Sequence, residues 1–189
     1  EEEMPDDLKK QSGRVKPTTP KPPKKEELVK EESVDEGVIE AEIVEKEEKN
    51  YDDLISYGVD CMTSGNHIWD KRDIFEYINE ADKLIRPINY KTHGVGSRIF
   101  EIGDTKIAVM NILGKIFINI TEFSWEEITN EIKRLKEITP IVIIDFHGEA
   151  TAEKICFAKY CSQFNVSAVF GTHTHVQTAD EQIIQNTAY

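Results

Sequence analysis

Val166-Ser167-Ala168-Val169-Phe170-Gly171-Thr172-His173-Thr174-His175 runs from a short apolar stretch straight into a His-x-His pair. A short apolar run closed by glycine reads as a buried strand. In extended backbone, side chains two residues apart leave the same face, so His173 and His175 are expected side by side just past the strand. Two more runs end alike. Asp60 to Met62 leads into Ser64-Gly65-Asn66-His67, and Ile141 to Phe146 leads into His147. In layered α/β sheets, ligands gather beyond the carboxyl ends of the strands. Amide oxygens and neutral imidazoles placed there are donors suited to a divalent transition metal. A lone His after a strand is usually a hydrogen-bonded loop residue. His93 in Lys91-Thr92-His93-Gly94, with no strand before it, is read that way. The other four of the five histidines all stand at strand ends.

The flanking sequence supplies the rest of an α/β layered domain over residues 51–189. Tyr51 to Tyr57 reads as the end of a helix stopped by Gly58. A strand over Val59 to Met62 follows, and the spacing predicts a helix from Asp70 to Ala81. Ser97 to Ile102 and Lys106 to Asn111 form a hairpin around Gly103-Asp104. Ser124-Trp125-Glu126-Glu127 is a capping box opening a helix that ends near Thr139-Pro140. Ile141 to Phe146 is continuously apolar, as in a strand covered on both faces. Thr151 to Gln163 is a helix, and Gln182 to Ile184 begins a further strand. Glu149, Thr151, Glu153 and Lys154 surround a helix start, where acids favour the dipole and free N–H groups suit a phosphate. Trp69 and Trp125 are read as packing residues.

Residues 1–50 differ in kind. They hold 16 acids, 10 bases, five of the seven prolines and no Phe, Tyr or Trp. Such a segment buries too little apolar surface to offset its ordering entropy, so we read it as a disordered acidic arm. Over the whole chain, 36 acids against 23 bases leave a net charge of −13, which argues against a duplex nucleic-acid surface. No apolar run reaches the roughly 18 residues of a membrane span, and the first residues lack a basic-then-apolar leader pattern. Cys61, Cys156 and Cys161 are odd in number and outside any zinc spacing; we read them as reduced thiols of a cytoplasmic protein.

Gly65-Asn66-His67, His147 and Gly171-Thr172-His173-Thr174-His175 resemble the later metal motifs of calcineurin-like metallophosphoesterases. Gly65-Asn66-His67-Ile68-Trp69-Asp70-Lys71, Asp145-Phe146-His147-Gly148-Glu149-Ala150-Thr151 and Gly171 to Asp180 resemble the bacterial YmdB-type branch of that family. The resemblance covers residues 51–189 almost continuously. It implies a four-layer α/β/β/α fold, a two-metal centre holding Fe or Mn, and phosphodiesterase activity on small phosphodiesters, notably 2′,3′-cyclic nucleotides. It further implies Asn66, His147, His173 and His175 as metal ligands and His67 as the acid that protonates the leaving oxygen while metal-activated water attacks phosphorus.

The departures from the family pattern carry their own expectations. The family opens with a strand ending in Gly-Asp and another ending in Gly-Glu-Asn, which provide the carboxylate shared between two metals. Neither motif is in this chain. Asp60, Asp70 and Asp145 are not expected to substitute. The reading is thus a partial domain, binding at most about one metal, with uncovered strand edges that favour self-association. A catalytically impaired member serving as a metal- or partner-binding module is the alternative. An amidohydrolase barrel also uses His-x-His, but early, on its first strand; here only 14 residues follow it.

Overall fold

The computed structural model describes residues 49–119 and 122–189. The acidic arm lies outside the described residues, apart from Lys49 and Asn50, which are helical. Helix α1, whose described residues are 49–56, ends where Gly58 takes a φ of 90°. That left-handed conformation costs glycine nothing and stops the helix.

The main sheet has six strands: β3 (Ser97–Ile102), β4 (Thr105–Leu113), β5 (Ile141–His147), β6 (Ala168–Thr172), β7 (Ile183–Ile184) and β8 (Thr187–Ala188). Their spatial order is β3-β4-β5-β6-β8-β7. β3 and β4 pair antiparallel through the two-residue Gly103-Asp104 turn, with Gly103 at φ 59°. β4, β5, β6 and β8 run parallel. Helix α3 (Trp125–Ile138) links β4 to β5, and α4 (Thr151–Ser162) links β5 to β6. Two successive crossovers of the same hand between adjacent strands put both helices on one face of the sheet.

The pleat explains the core. Ala108, Met110 and Ile112 of β4, with Val142, Ile144 and Phe146 of β5, alternate toward the helices and are wholly buried. They meet Ile128, Ile132 and Leu135 of α3 and Phe157, Ala158 and Cys161 of α4 in one cluster. Phe146 and Phe157 stack with centroids 4.4 Å apart. The opposite pleat of the same strands carries Asn111, Asp145 and His147, and Asn111 lies opposite Asp145 in register. The helix side of the sheet therefore carries stability and the far side carries polar chemistry.

A small parallel pair, β1 (Met62–Thr63) and β2 (Leu84–Ile85), forms the second layer. Residues 86–96 tie it to the main sheet: Ile88 N–H donates to Asn111 O at 2.8 Å, and Asn111 N–H donates to Gly96 O at 3.0 Å. Buried Arg86 holds this loop by donating to the carbonyls of Pro87, Ile88, Thr92, His93 and Gly94 at 2.9–3.3 Å. With one helix layer, one large sheet and one small sheet, the architecture is the expected partial layered α/β fold.

Three elements differ from the expectation. The strand placed at Val59 to Met62 is only β1, because Met62 is the first residue with a neighbour, Leu84, to pair with. The helix placed at Asp70 to Ala81 reduces to α2 (Ile74–Tyr77). Ile74, Ile78 and Ala81 do form its buried stripe. The backbone there is wound tighter, with Phe75, Glu76 and Glu80 bonding three residues back, to Arg72, Asp73 and Tyr77. The strand placed at Val166 to Phe170 is shifted to β6, since pairing with β5 continues through Phe146–Gly171 and His147–Thr172.

Candidate metal centre

Three chain segments end at one place on the polar side of the sheet. The loop after β1 brings Asn66, β5 ends on His147, and the turn after β6 brings His173. Asn66 Oδ1 lies 2.9 Å from His147 Nε2, and His173 Nδ1 lies 3.0 Å from the same nitrogen. Gly65 permits this packing: a β-carbon there would run into the His147 ring. The Tyr90 hydroxyl anchors the loop from outside by donating to Asn66 O at 3.3 Å.

Each imidazole has a second partner. His147 Nδ1 is 3.2 Å from Thr172 Oγ1, and the Thr172 hydroxyl donates to Asp145 Oδ1 at 2.6 Å. His173 Nε2 meets Glu149 Oε2 at 2.9 Å. Asp145 is buried; burial pushes its carboxyl above the usual range, opposed by hydrogen bonds from Thr172 and Thr63. His147 drops to about 4, first because burial disfavours its charged form and then because His173 and Lys154 stand nearby. An imidazole held neutral has the protonation state that a metal ligand needs.

His67 and His175 stand apart from this trio. His67 is exposed and donates from Nδ1 to Asp70 Oδ2 at 2.7 Å, which leaves Nε2 as the atom that gives or takes a proton. A cavity of about 440 Å³ opens beside it, lined in part by Ser64, Asp70, Asp73 and Leu84. His175 is exposed, and no hydrogen bond joins it to the trio among the described residues. The reasoning from extended backbone fails here. β6 ends at Thr172, and His173 and His175 have φ of 95° and 52°, outside any strand. The chain turns between them, so alternation does not set their direction.

The donor set can be tested for fit to a metal. Ligands about 2.1 Å from a cation and at right angles are about 3.0 Å apart. The separations of 2.9 and 3.0 Å match one edge each of such a shell. Among the described residues no three His, Cys, Asp or Glu side chains group as a metal site, so the trio is two histidines and an amide with no carboxylate. Of the nearby acids, Asp60 is engaged with Lys83, Asp70 with His67 and Asp145 with Thr172 and Asn111, while Glu149 meets His173 on Nε2, the ring nitrogen turned away from His147. These two separations are compatible with one divalent cation, and the described residues show no group of three His, Cys, Asp or Glu side chains that would add a second site.

The sequence reading missed Thr172, Asp145 and Glu149 as partners of the histidines. Thr172 on β6 lies opposite His147 on β5 and reaches Asp145 two residues earlier, a register that no local spacing reveals. Glu149, two residues past His147, was read only as a helix-start acid.

A sequence model of the family described as YmdB-like protein matches residues 26–189. The chain belongs to the YmdB-like family. A Bacillus subtilis relative, named 2′,3′-cyclic-nucleotide 2′-phosphodiesterase, is 41% identical over 145 residues, which cover 75% of this chain and 54% of that protein. A Thermus thermophilus crystal structure superposes with a TM-score of 0.68 at 32% identity, covering 75% of this chain and 56% of its own. A Mycoplasma pneumoniae phosphatase superposes with a TM-score of 0.63 at 34% identity, covering 75% of this chain and 52% of that one. These matches bear out the family resemblance and the fold. The chain spans about half the length of the relatives it matches. No helix among the described residues is long and apolar enough to cross a membrane.

Proposed function

We propose that this chain carries the histidine half of a metal-dependent phosphodiesterase site, acting on small phosphodiesters such as 2′,3′-cyclic nucleotides. The observation that carries the reading is the meeting of Asn66 Oδ1, His147 Nε2 and His173 Nδ1 within 3.0 Å of one another's nearest partner. Asn66, His147 and His173 would hold a divalent ion, Fe or Mn, and His175 joins them as a fourth ligand in this reading. Such an ion, when bound, polarises a phosphoryl group and makes water a better nucleophile. The substrate class comes from the name of the Bacillus subtilis relative.

In this proposal His67 moves the proton. Asp70 fixes the ring through Nδ1, and Nε2 faces away from that carboxylate. As imidazolium, His67 donates from Nε2 to the departing ribose oxygen. The adjacent cavity gives the nucleoside room beside that nitrogen. Hydrolysis of a 2′,3′-cyclic nucleotide by the full chain, abolished by chelator and restored by Mn²⁺ or Fe²⁺, is the expected result; turnover undiminished after metal removal contradicts it. A second reading, a metal-binding module without turnover, draws on the lack of any group of three His, Cys, Asp or Glu side chains placed to hold a metal among the described residues. Metal uptake with no hydrolysis at all selects it.

A further inference from the structure

The hydrogen bonds around the trio suggest one assignment of its protons. The Thr172 hydroxyl has one proton and gives it to Asp145 Oδ1 at 2.6 Å. Asp145 is an acceptor on its other oxygen too, since Asn111 Nδ2 donates to Oδ2 at 3.1 Å. With its proton spent, Thr172 Oγ1 can only accept from His147 Nδ1, 3.2 Å away. A neutral imidazole has one N–H, so His147 Nε2 is then a bare lone pair. The same count applies on the other side. Glu149 Oε2 accepts from His173 Nε2 at 2.9 Å, which leaves His173 Nδ1 as a lone pair. Asn66 Oδ1 has no proton in any state. Three lone pairs therefore face one another at 2.9 and 3.0 Å with no proton between them. That is repulsive in itself and becomes attractive around a cation.

We propose that Thr172, backed by Asp145, and Glu149 are positioning residues that hold the protons of His147 and His173 on the outward nitrogens, so that both rings present lone pairs to one cation. The inference rests on the metal reading above and names the residues that prepare the site for it. The two arms differ in what backs them. Asp145 is buried, and a hydrogen bond in a poorly solvated place meets little competition from water. Glu149 is half exposed, with 46% of its side chain accessible, so water competes for the His173 proton. Thr172 itself is exposed, so burial protects its bond to Asp145 and not its 3.2 Å contact with His147.

The test reads proton position directly. Full-length chain labelled with ¹⁵N-histidine is stripped of metal, and long-range ¹H–¹⁵N spectra are recorded at about pH 8, where ordinary imidazoles are neutral. The expected result is His147 with its proton on Nδ1 and His173 with its proton on Nε2. In Thr172→Val, His147 should shift toward the Nε2–H form and Mn²⁺ affinity should fall about 10- to 100-fold, although no ligand has been removed. Thr172→Ser should restore both. Glu149→Ala should mix the His173 tautomers and lower Mn²⁺ affinity as well. Backbone amide spectra establish that each variant is folded. A wild-type His147 protonated on Nε2, or a Thr172→Val chain with unchanged tautomer, overturns the relay. The expected tautomers in a chain that takes up no Mn²⁺ overturn the metal reading instead.

Discussion

At the scale of the residue, the chemistry turns on which atom each imidazole offers. His147 and His173 meet through Nε2 and Nδ1, while His67 points Nδ1 at Asp70 and keeps Nε2 clear. A ligand and an acid therefore make different demands on their surroundings. If His67 is the acid, His67→Ala slows hydrolysis of a 2′,3′-cyclic nucleotide by about 10²- to 10⁴-fold while leaving bound metal nearly unchanged. Bis-nitrophenyl phosphate, whose leaving group needs no proton, should lose much less. Equal losses on both substrates count against the acid role. The histidines were legible in the sequence because residue type and strand-end position are local facts. The part played by Thr172 was not, since it meets Asp145 and His147 only through the pairing of β5 with β6.

At the scale of the element, local signals were reliable where one element decided its own fate. The Ser124 cap is the plainest case: its Oγ accepts from Glu127 N–H at 3.2 Å, at the position that the capping box assigns. Ser124→Ala should destabilise the domain by about 1 kcal/mol, read as a shift in denaturant midpoint at constant slope. A change of slope, or no shift, would mean that α3 is set by its buried face alone. The stretch from Asp70 to Ala81 shows the limit of such signals. Its apolar period was correct and Ile74, Ile78 and Ala81 are buried, yet only Ile74–Tyr77 forms a helix. The Arg86 fan across the loop from Pro87 to Gly94 is what holds that side together, and a single arginine in a sequence announces nothing of the kind.

At the scale of the whole molecule, the helix-covered face stabilises and the polar face gathers the histidines. The acidic arm over residues 1–50 remains a proposal from composition, and the family match reaching back to residue 26 crosses that boundary. Limited proteolysis with mass spectrometry decides it: early cuts between Lys9 and Lys49 with 51–189 intact are expected, and protection of Val38 to Val44 would build that stretch into the sheet. The central claim concerns the trio, and it is counted in metal ions. Two imidazoles and one amide, with no group of three His, Cys, Asp or Glu side chains beside them among the described residues, suit a single cation. Elemental analysis of the full chain, purified without chelator and weighed against protein concentration, measures this most directly. The account predicts about one transition metal per chain, lost when His147 is replaced by Ala; two tightly held metals per chain, or one that survives that substitution, would contradict it.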